Sequence, residues 1–274
     1  TMKLISDYHV HSSFSGDSDA PMEDMVKKGI ELGLQRICFT DHMDYDYPPQ
    51  YLDYGCIFEF EVEAYFEQIA SLQKKYGDQI KILAGIELGM KPDLAQRLET
   101  LISAFPFDFV IASSHLLDNY DPYYPDYWES IHNDTEAGIR RYFQSIRENV
   151  EAFKNFDVYG HLDYIVRYAP NKNFVYDPAC FQEEIDALLK AIINAGKGIE
   201  VNTAGLKYGL PFAHPKEEIL KRYFELGGTY FTVGSDAHKL EHLAYDFQKE
   251  AAILDNLNLS SYYRVFEKRT PISI

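Results

Sequence analysis

Short, almost uninterrupted apolar runs alternate along the chain with longer stretches in which apolar residues recur at helical spacing. The runs cover residues 3–9, 36–40, 80–87, 108–114, 157–161, 198–202 and 229–234. A strand that is apolar at nearly every position is buried on both faces, the mark of parallel β structure covered by helices. The first helical stretch opens Pro21-Met22-Glu23-Asp24-Met25, where proline followed by acids suits a first turn. Others occupy residues 59–76, 93–104, 136–153, 181–195, 215–226 and 243–257. Several close on glycine, at Gly33, Gly77, Gly196 and Gly227-Gly228, the usual C-terminal stop. Seven strand–helix units with no linker, repeat or low-complexity tract predict one α/β domain over residues 1–274. That number of units suggests a closed or nearly closed barrel. Two connections, residues 43–57 and 117–135, are too long for ordinary turns. Both follow the C-terminal end of a strand, where barrels carry their active sites.

Composition narrows the partners. With 46% hydrophobic and 25% charged residues in 274, the chain can bury a sizeable core. No apolar run reaches the roughly 18 residues of a membrane helix. Thr1-Met2-Lys3-Leu4 has no signal-peptide core, and the residue before Met2 reads as an expression remnant. Lys plus Arg number 26 against 43 Asp plus Glu, a net charge of −17. Such a surface repels nucleic acid and anionic membrane, so neither is an expected partner. An anionic small molecule would need metal ions or arginine close at hand. Cys38, Cys56 and Cys180 form no CxxC and leave an odd thiol, which predicts a reducing cytoplasm.

The polar residues that break the apolar pattern collect at strand ends. The first run ends Asp7-Tyr8-His9-Val10-His11, with Asp17 close behind. Later ends read Thr40-Asp41-His42, Gly85-Ile86-Glu87, Ser113-Ser114-His115, Gly160-His161 and Gly234-Ser235-Asp236-Ala237-His238. Residues i and i+2 of a strand point the same way, so His9 and His11 can hold one ion. Asp236 and His238 repeat the spacing. Imidazole and carboxylate are ligands for Zn, Mn or Fe. Nine candidates (His9, His11, Asp17, His42, Glu87, His115, His161, Asp236 and His238) exceed the needs of one ion, which implies two to three divalent transition-metal ions with Glu87 bridging. The other three histidines, His132, His214 and His242, read as structural.

Together these motifs resemble the pattern of the PHP (polymerase and histidinol phosphatase) superfamily, in family order from residue 9 to residue 238. The resemblance implies a distorted (βα)7 barrel with its metal site at the C-terminal ends of the strands. It assigns His9, His11, Glu87 and Asp236 to a first ion, Glu87, His115 and His161 to a second, and Asp17, His42 and His238 to a third. Some members have histidine where Asp17 stands. Gly160-His161-Leu162-Asp163-Tyr164-Ile165-Val166-Arg167-Tyr168 and Glu200-Val201-Asn202-Thr203-Ala204-Gly205-Leu206 resemble the histidinol-phosphate phosphatase branch. That likeness implies hydrolysis of L-histidinol phosphate in histidine biosynthesis, with Arg167, Asn202 and Lys207 touching substrate. The branch often carries arginine at the position of Lys207, and lysine keeps the charge but not the bidentate fork.

Phosphomonoester hydrolysis needs charge neutralisation more than covalent help. Clustered divalent ions align the phosphoryl oxygens and lower the pKa of a bridging water to about 7, providing hydroxide for in-line attack. Asp163 is either the proton donor to the leaving alkoxide or an acceptor orienting a ligand histidine. Arg167 either forks onto a phosphate oxygen or forms an exposed ion pair. Tyr45, Tyr47, Tyr51 and Tyr54 crowd one long loop, and Tyr120, Tyr123, Tyr124, Tyr127 and Trp128 the other. With Asp44, Asp46, Asp118, Asp121 and Asp126 they suit a cationic, imidazole-bearing substrate, or they simply pack the loops. The alternatives are an esterase for another small phosphate, such as a nucleotide or sugar phosphate, and an inactive PHP module that serves as a binding scaffold. No position of the pattern is missing, which opposes the second, and the charge of −17 opposes a processive exonuclease.

Overall fold

The computed structural model describes every residue but Cys56, and of Asp53 and Tyr54 the backbone alone, so the expectations for Cys56 and the Tyr54 ring lie outside the described residues. The strands run β1 (Ser6–Val10), β2 (Arg36–Phe39), β3 (His42–Met43), β4 (Lys81–Gly89), β5 (Phe109–Ser113), β6 (Val158–Tyr159), β7 (Gly198–Asn202) and β8 (Phe231–Gly234). Seven of them pair in parallel in the order β1-β2-β4-β5-β6-β7-β8, and the two-residue β3 adds to β4 with His42 opposite Glu87. Every residue of β1, β5, β7 and β8 is buried, as the apolar runs require of strands covered on both faces. The ends of the sheet meet. The His11 N–H donates to the Ala237 carbonyl and the Asp236 N–H to the His9 carbonyl, both at 2.8 Å. Below this seam the Asp7 carboxylate accepts from the Ser235 N–H, the Ser235 hydroxyl and the Ala244 N–H. The result is the expected distorted (βα)7 barrel.

Helices α1 (Met22–Glu31), α2 (Val62–Tyr76), α3 (Ala95–Ala104), α4 (Pro125–Ser130), α5 (Thr135–Ala152), α6 (Gln182–Asn194), α7 (Ala204–Lys207), α8 (Glu217–Glu225) and α9 (Phe247–Asn256) complete the fold. In α5, Ile139, Tyr142, Phe143, Ile146 and Val150 recur at three- and four-residue spacing and are all buried. Asp134 caps this helix by accepting from the Ala137 N–H at 3.0 Å, and the extended Phe153 ends it. Gly227 stops α8 with a left-handed φ of 103°. Gly77 differs from that expectation. Its conformation is right-handed, and glycine is required because a Cβ would sit 2.4 Å from the Gln73 carbonyl oxygen. No helix among the described residues is long and apolar enough to cross a membrane.

Three features escaped the periodicity: α4 within the second long connection, the single turn α7, and a C-terminal hairpin of β9 (Val265–Glu267) and β10 (Thr270–Ile272). Each is too short to show a period. The hairpin covers the N-terminal ends of the strands. The Tyr8 hydroxyl donates to the Phe266 carbonyl at 2.8 Å, the Lys268 N–H to Asp108 at 2.9 Å and Arg269 to Asp157 at 2.6 Å. It leaves the opposite mouth open.

One buried acid costs stability. Glu250 in α9 is only 3% exposed, and one of its oxygens has no hydrogen-bond partner. Burial and the nearby Glu217 push its pKa up from 4.5 to about 7, against the pull of Lys249. A raised acid pKa means that the folded state holds the proton more tightly, so stability falls as pH rises from 4.5 to about 7. The loss totals about 3 kcal/mol at about 1.4 per pKa unit. Denaturant unfolding of Glu250→Gln is therefore expected to show a gain approaching that size at pH 8 and none at pH 4.

Candidate metal centre

All nine side chains singled out at the strand ends converge on the open mouth. Glu87, near the end of β4 and fully buried, stands at the middle. Its Oε1 lies 3.3 Å from His9 Nε2, 3.4 Å from His11 Nε2 and 3.1 Å from His42 Nδ1. Its Oε2 lies 3.3 Å from His115 Nε2 and 3.2 Å from His161 Nε2. Asp236 Oδ1 faces His9 and His11 at 3.4 and 3.1 Å. Asp17 reaches His42 at 3.5 Å and His238 at 3.2 Å. Three compact donor groups result: His9, His11 and Asp236; Glu87, His115 and His161; and His11, His42 and His238. A fourth adds Asp44 to His42 and His115. Gly234 permits this crowding, because a Cβ there would meet the His9 Cβ at 2.2 Å. Asp236 itself takes a left-handed φ of 56°, uncommon outside glycine.

These residues fit metal ions on the structure's own terms. Nε2 of His9, His11 and His238, Nδ1 of His42 and Oε1 of Glu87 are buried without hydrogen-bond partners. Separations of 3.1–3.4 Å around Glu87 and Asp236 run from the long end of the hydrogen-bond range to beyond it. They match the roughly 3.4 Å between two ligand atoms that share a tetrahedral ion at about 2.1 Å. Electrostatics agrees. Burial works to lower the His9 pKa, but Asp236, Glu200 and Glu87 raise it well above the usual value. Burial works to raise that of Glu87, but His9, His115 and His42 hold it well below. His115 is likewise pushed up to about 10 by Asp44 and Glu87 against burial. The carboxylates thus call for positive charge among the imidazoles, which divalent ions would supply in place of protons.

A supporting layer fixes the ring orientations. Glu200 accepts from His9 Nδ1, Asp44 accepts from His115 Nδ1 at 2.6 Å, and Ser15 bonds His11 Nδ1 at 2.9 Å. Each contact leaves Nε2 facing the centre. Ser15 in turn donates to Asp41. Glu200 also accepts from the His161 N–H. Neither Glu200 nor Asp44 stood out as a partner of these histidines in the sequence, because they come from other strands and loops.

Over the cluster lies a pocket of about 320 Å³ lined by Asp17, His42, Asp44, Tyr47, Phe58, Glu87, His115, Asp121, Tyr123, Tyr124, His161, Tyr164, Arg167, Tyr168, Tyr208, Asp236 and His238. Arg167 is turned inward, contrary to an exposed ion pair. Its guanidinium lies 4.3 Å from the Tyr208 ring and 5.2 Å from that of Tyr164, and its Nε and Nη1 lack hydrogen-bond partners.

Three other expected site residues are not among the residues that line the pocket. Asp163 is fully buried and outside the pocket lining, and its oxygens accept from His214, Tyr176 and the Lys216 N–H, so it is not presented to a leaving group. It does orient a histidine, but that histidine is His214 and not one of the cluster. Asn202 is fully buried, donating to Glu200 and Asp236. It therefore braces the cluster instead of touching substrate. The half-buried Lys207 donates from its ammonium to the Asp236 carbonyl at 3.1 Å. Of the loop residues, Asp46 pairs with Arg97, Asp118 with Arg141, and Asp126 accepts from Tyr51. Among the described side chains named in the two loops, only Asp44, Tyr47, Asp121, Tyr123 and Tyr124 line the pocket.

The PHP domain family matches residues 7–204. A histidinol-phosphatase of Lactococcus lactis is 34% identical over 239 residues, covering 85% of this chain and 83% of its own. A probable histidinol-phosphatase of Clostridium acetobutylicum is 30% identical over 97% of this chain and 98% of its own. The crystal structure of histidinol phosphate phosphatase from Lactococcus lactis, complexed with zinc, L-histidinol and phosphate, superposes with a TM-score of 0.86 at 29% identity, over 97% of this chain and 98% of that one.

Proposed function

The chain belongs to the PHP domain family, and from that membership we propose that it is a metal-dependent phosphomonoesterase for L-histidinol phosphate. The products are L-histidinol and inorganic phosphate, a step of histidine biosynthesis, and residues 1–274 act as one cytoplasmic domain. The free thiols of Cys38 and Cys180 suit that compartment. The observation that carries the reading is the crowd of unpartnered basic nitrogens around Glu87, on the floor of a pocket walled by Arg167 and aromatic rings. The names of the relatives support the choice of ester.

His9, His11, Glu87 and Asp236 would hold one ion, Glu87, His115 and His161 a second, and Asp17, His42 and His238 a third, with Zn, Mn or Fe as candidates. The chemistry that ions held there would supply is charge for the phosphoryl oxygens and a more acidic water. The chain's own groups do the rest. Glu200, Ser15 and Asp44 hold the protons on the outer nitrogens of His9, His11 and His115, which keeps the inner nitrogens free to bind. Arg167 offers two N–H groups to the non-bridging phosphate oxygens, and Tyr164, Tyr168 and Tyr208 hold its guanidinium in place by cation–π contact.

Elemental analysis of protein purified without chelator is expected to find about two to three transition-metal ions per chain. Phosphate release from L-histidinol phosphate should disappear on chelation and return when metal is restored. One ion or none in folded, metal-supplied protein contradicts the cluster.

A further inference from the structure

The pocket holds one carboxylate that the phosphate chemistry does not use. Asp121 lines the cavity and makes no ion pair among the described residues. Its Oδ2 accepts from the Tyr47 hydroxyl at 2.5 Å and its Oδ1 from the Tyr123 N–H at 2.9 Å. Its own N–H donates to the Tyr51 hydroxyl at 3.0 Å, and the Tyr51 ring stacks on Tyr124 at 4.5 Å. The carboxylate is therefore fixed from both long loops. Asp44, the other loop acid in the pocket, is committed to His115, and Asp46 and Asp118 are answered by arginines. A fixed carboxylate with no cation of its own, framed by aromatic rings, is built to receive one.

We propose that Asp121 is the specificity-determining residue of the pocket, accepting a charge-assisted hydrogen bond from the positively charged nitrogen end of the substrate. This rests on the histidinol phosphate reading above. Arg167 and the Glu87 cluster take the dianion, and Asp121 with Tyr47 takes the cation. The division of charge selects an amino-alkyl or imidazole-bearing phosphate over a neutral alkyl phosphate of similar size. Sequence order hides this assignment, because five loop acids stand in similar aromatic company and only their partners tell them apart.

The test compares metal-loaded wild type, Asp121→Asn and Tyr47→Phe on histidinol phosphate, phosphoethanolamine and propyl phosphate. Loss of one charge-assisted hydrogen bond should lower the kcat/KM ratio of histidinol phosphate to propyl phosphate by roughly ten- to hundredfold in Asp121→Asn. A smaller fall in the same direction is expected in Tyr47→Phe, which keeps the carboxylate but loosens it. The inhibition constant of L-histidinol should rise with Asp121→Asn by more than that of inorganic phosphate. A parallel fall for phosphoethanolamine assigns the contact to the ammonium group, and an unchanged value assigns it to the imidazole. An unchanged ester ratio in folded, metal-replete Asp121→Asn, with Tyr47→Phe also unchanged, overturns the proposal. A wild-type ratio near one overturns the histidinol phosphate reading instead, so the two failures are distinct.

Discussion

Glu87→Ala is expected to lower kcat by about three orders of magnitude or more, whereas His242→Ala should stay within about twofold of wild type. Five imidazoles face the two Glu87 oxygens at 3.1–3.4 Å. Removal of the carboxylate takes away the one group common to two proposed ion sites and the charge that balances the buried histidines around it. Alanine also leaves a cavity, so the loss cannot be recovered simply by adding metal. His242 lies past the seam, outside the pocket lining, with its ring beside Tyr245. Steady-state kinetics at saturating metal, with metal content measured on both folded variants, decides the matter. Comparable losses in the two would contradict the role given to Glu87.

Arg167→Lys should cost about a hundredfold in kcat/KM although the charge is kept. The guanidinium is buried among three tyrosine rings, and its Nε and Nη1 have no partner in the protein. Lysine brings a point charge that cannot bridge two phosphate oxygens and stacks poorly on Tyr208. Because Arg167 makes no hydrogen bond or ion pair with the cluster among the described residues, metal content should be unchanged while the inhibition constant for inorganic phosphate rises in step. An unaltered phosphate affinity would show that the arginine serves the pocket wall alone.

The centre was legible in the sequence because strand geometry puts i and i+2 on one side. Histidines at the ends of parallel strands must then share a mouth, whatever the loops do. His9 and His11, or Asp236 and His238, needed no knowledge of contacts between distant residues. The supporting layer did. Glu200 reaches His9 across 191 positions and Asp44 reaches His115 across 71, and no local pattern encodes such pairings. Asp163, Asn202 and Lys207 are the opposite case. Asp163 stands two residues beyond His161, and the likeness to the histidinol-phosphate phosphatase branch points to Asn202 and Lys207, whereas in the fold each of the three hydrogen-bonds protein groups. The loop aromatics divide between the two readings, packing and pocket. Tyr45 lies under Arg97 and Tyr127 is buried, whereas Tyr164, Tyr168 and Tyr208, from the segments after β6 and β7, supply pocket wall that the loop count did not anticipate.

The central claim is that this pocket spends the binding energy of a cationic, imidazole-bearing group on the hydrolysis of a phosphate ester at the metal cluster. Its most direct test is the kcat/KM of metal-supplied protein for L-histidinol phosphate against that for a simple alkyl phosphate. A ratio of roughly a hundredfold or more is expected, equivalent to about 3 kcal/mol of preferential transition-state binding. Equal values for the two esters, with the metals intact, would contradict it.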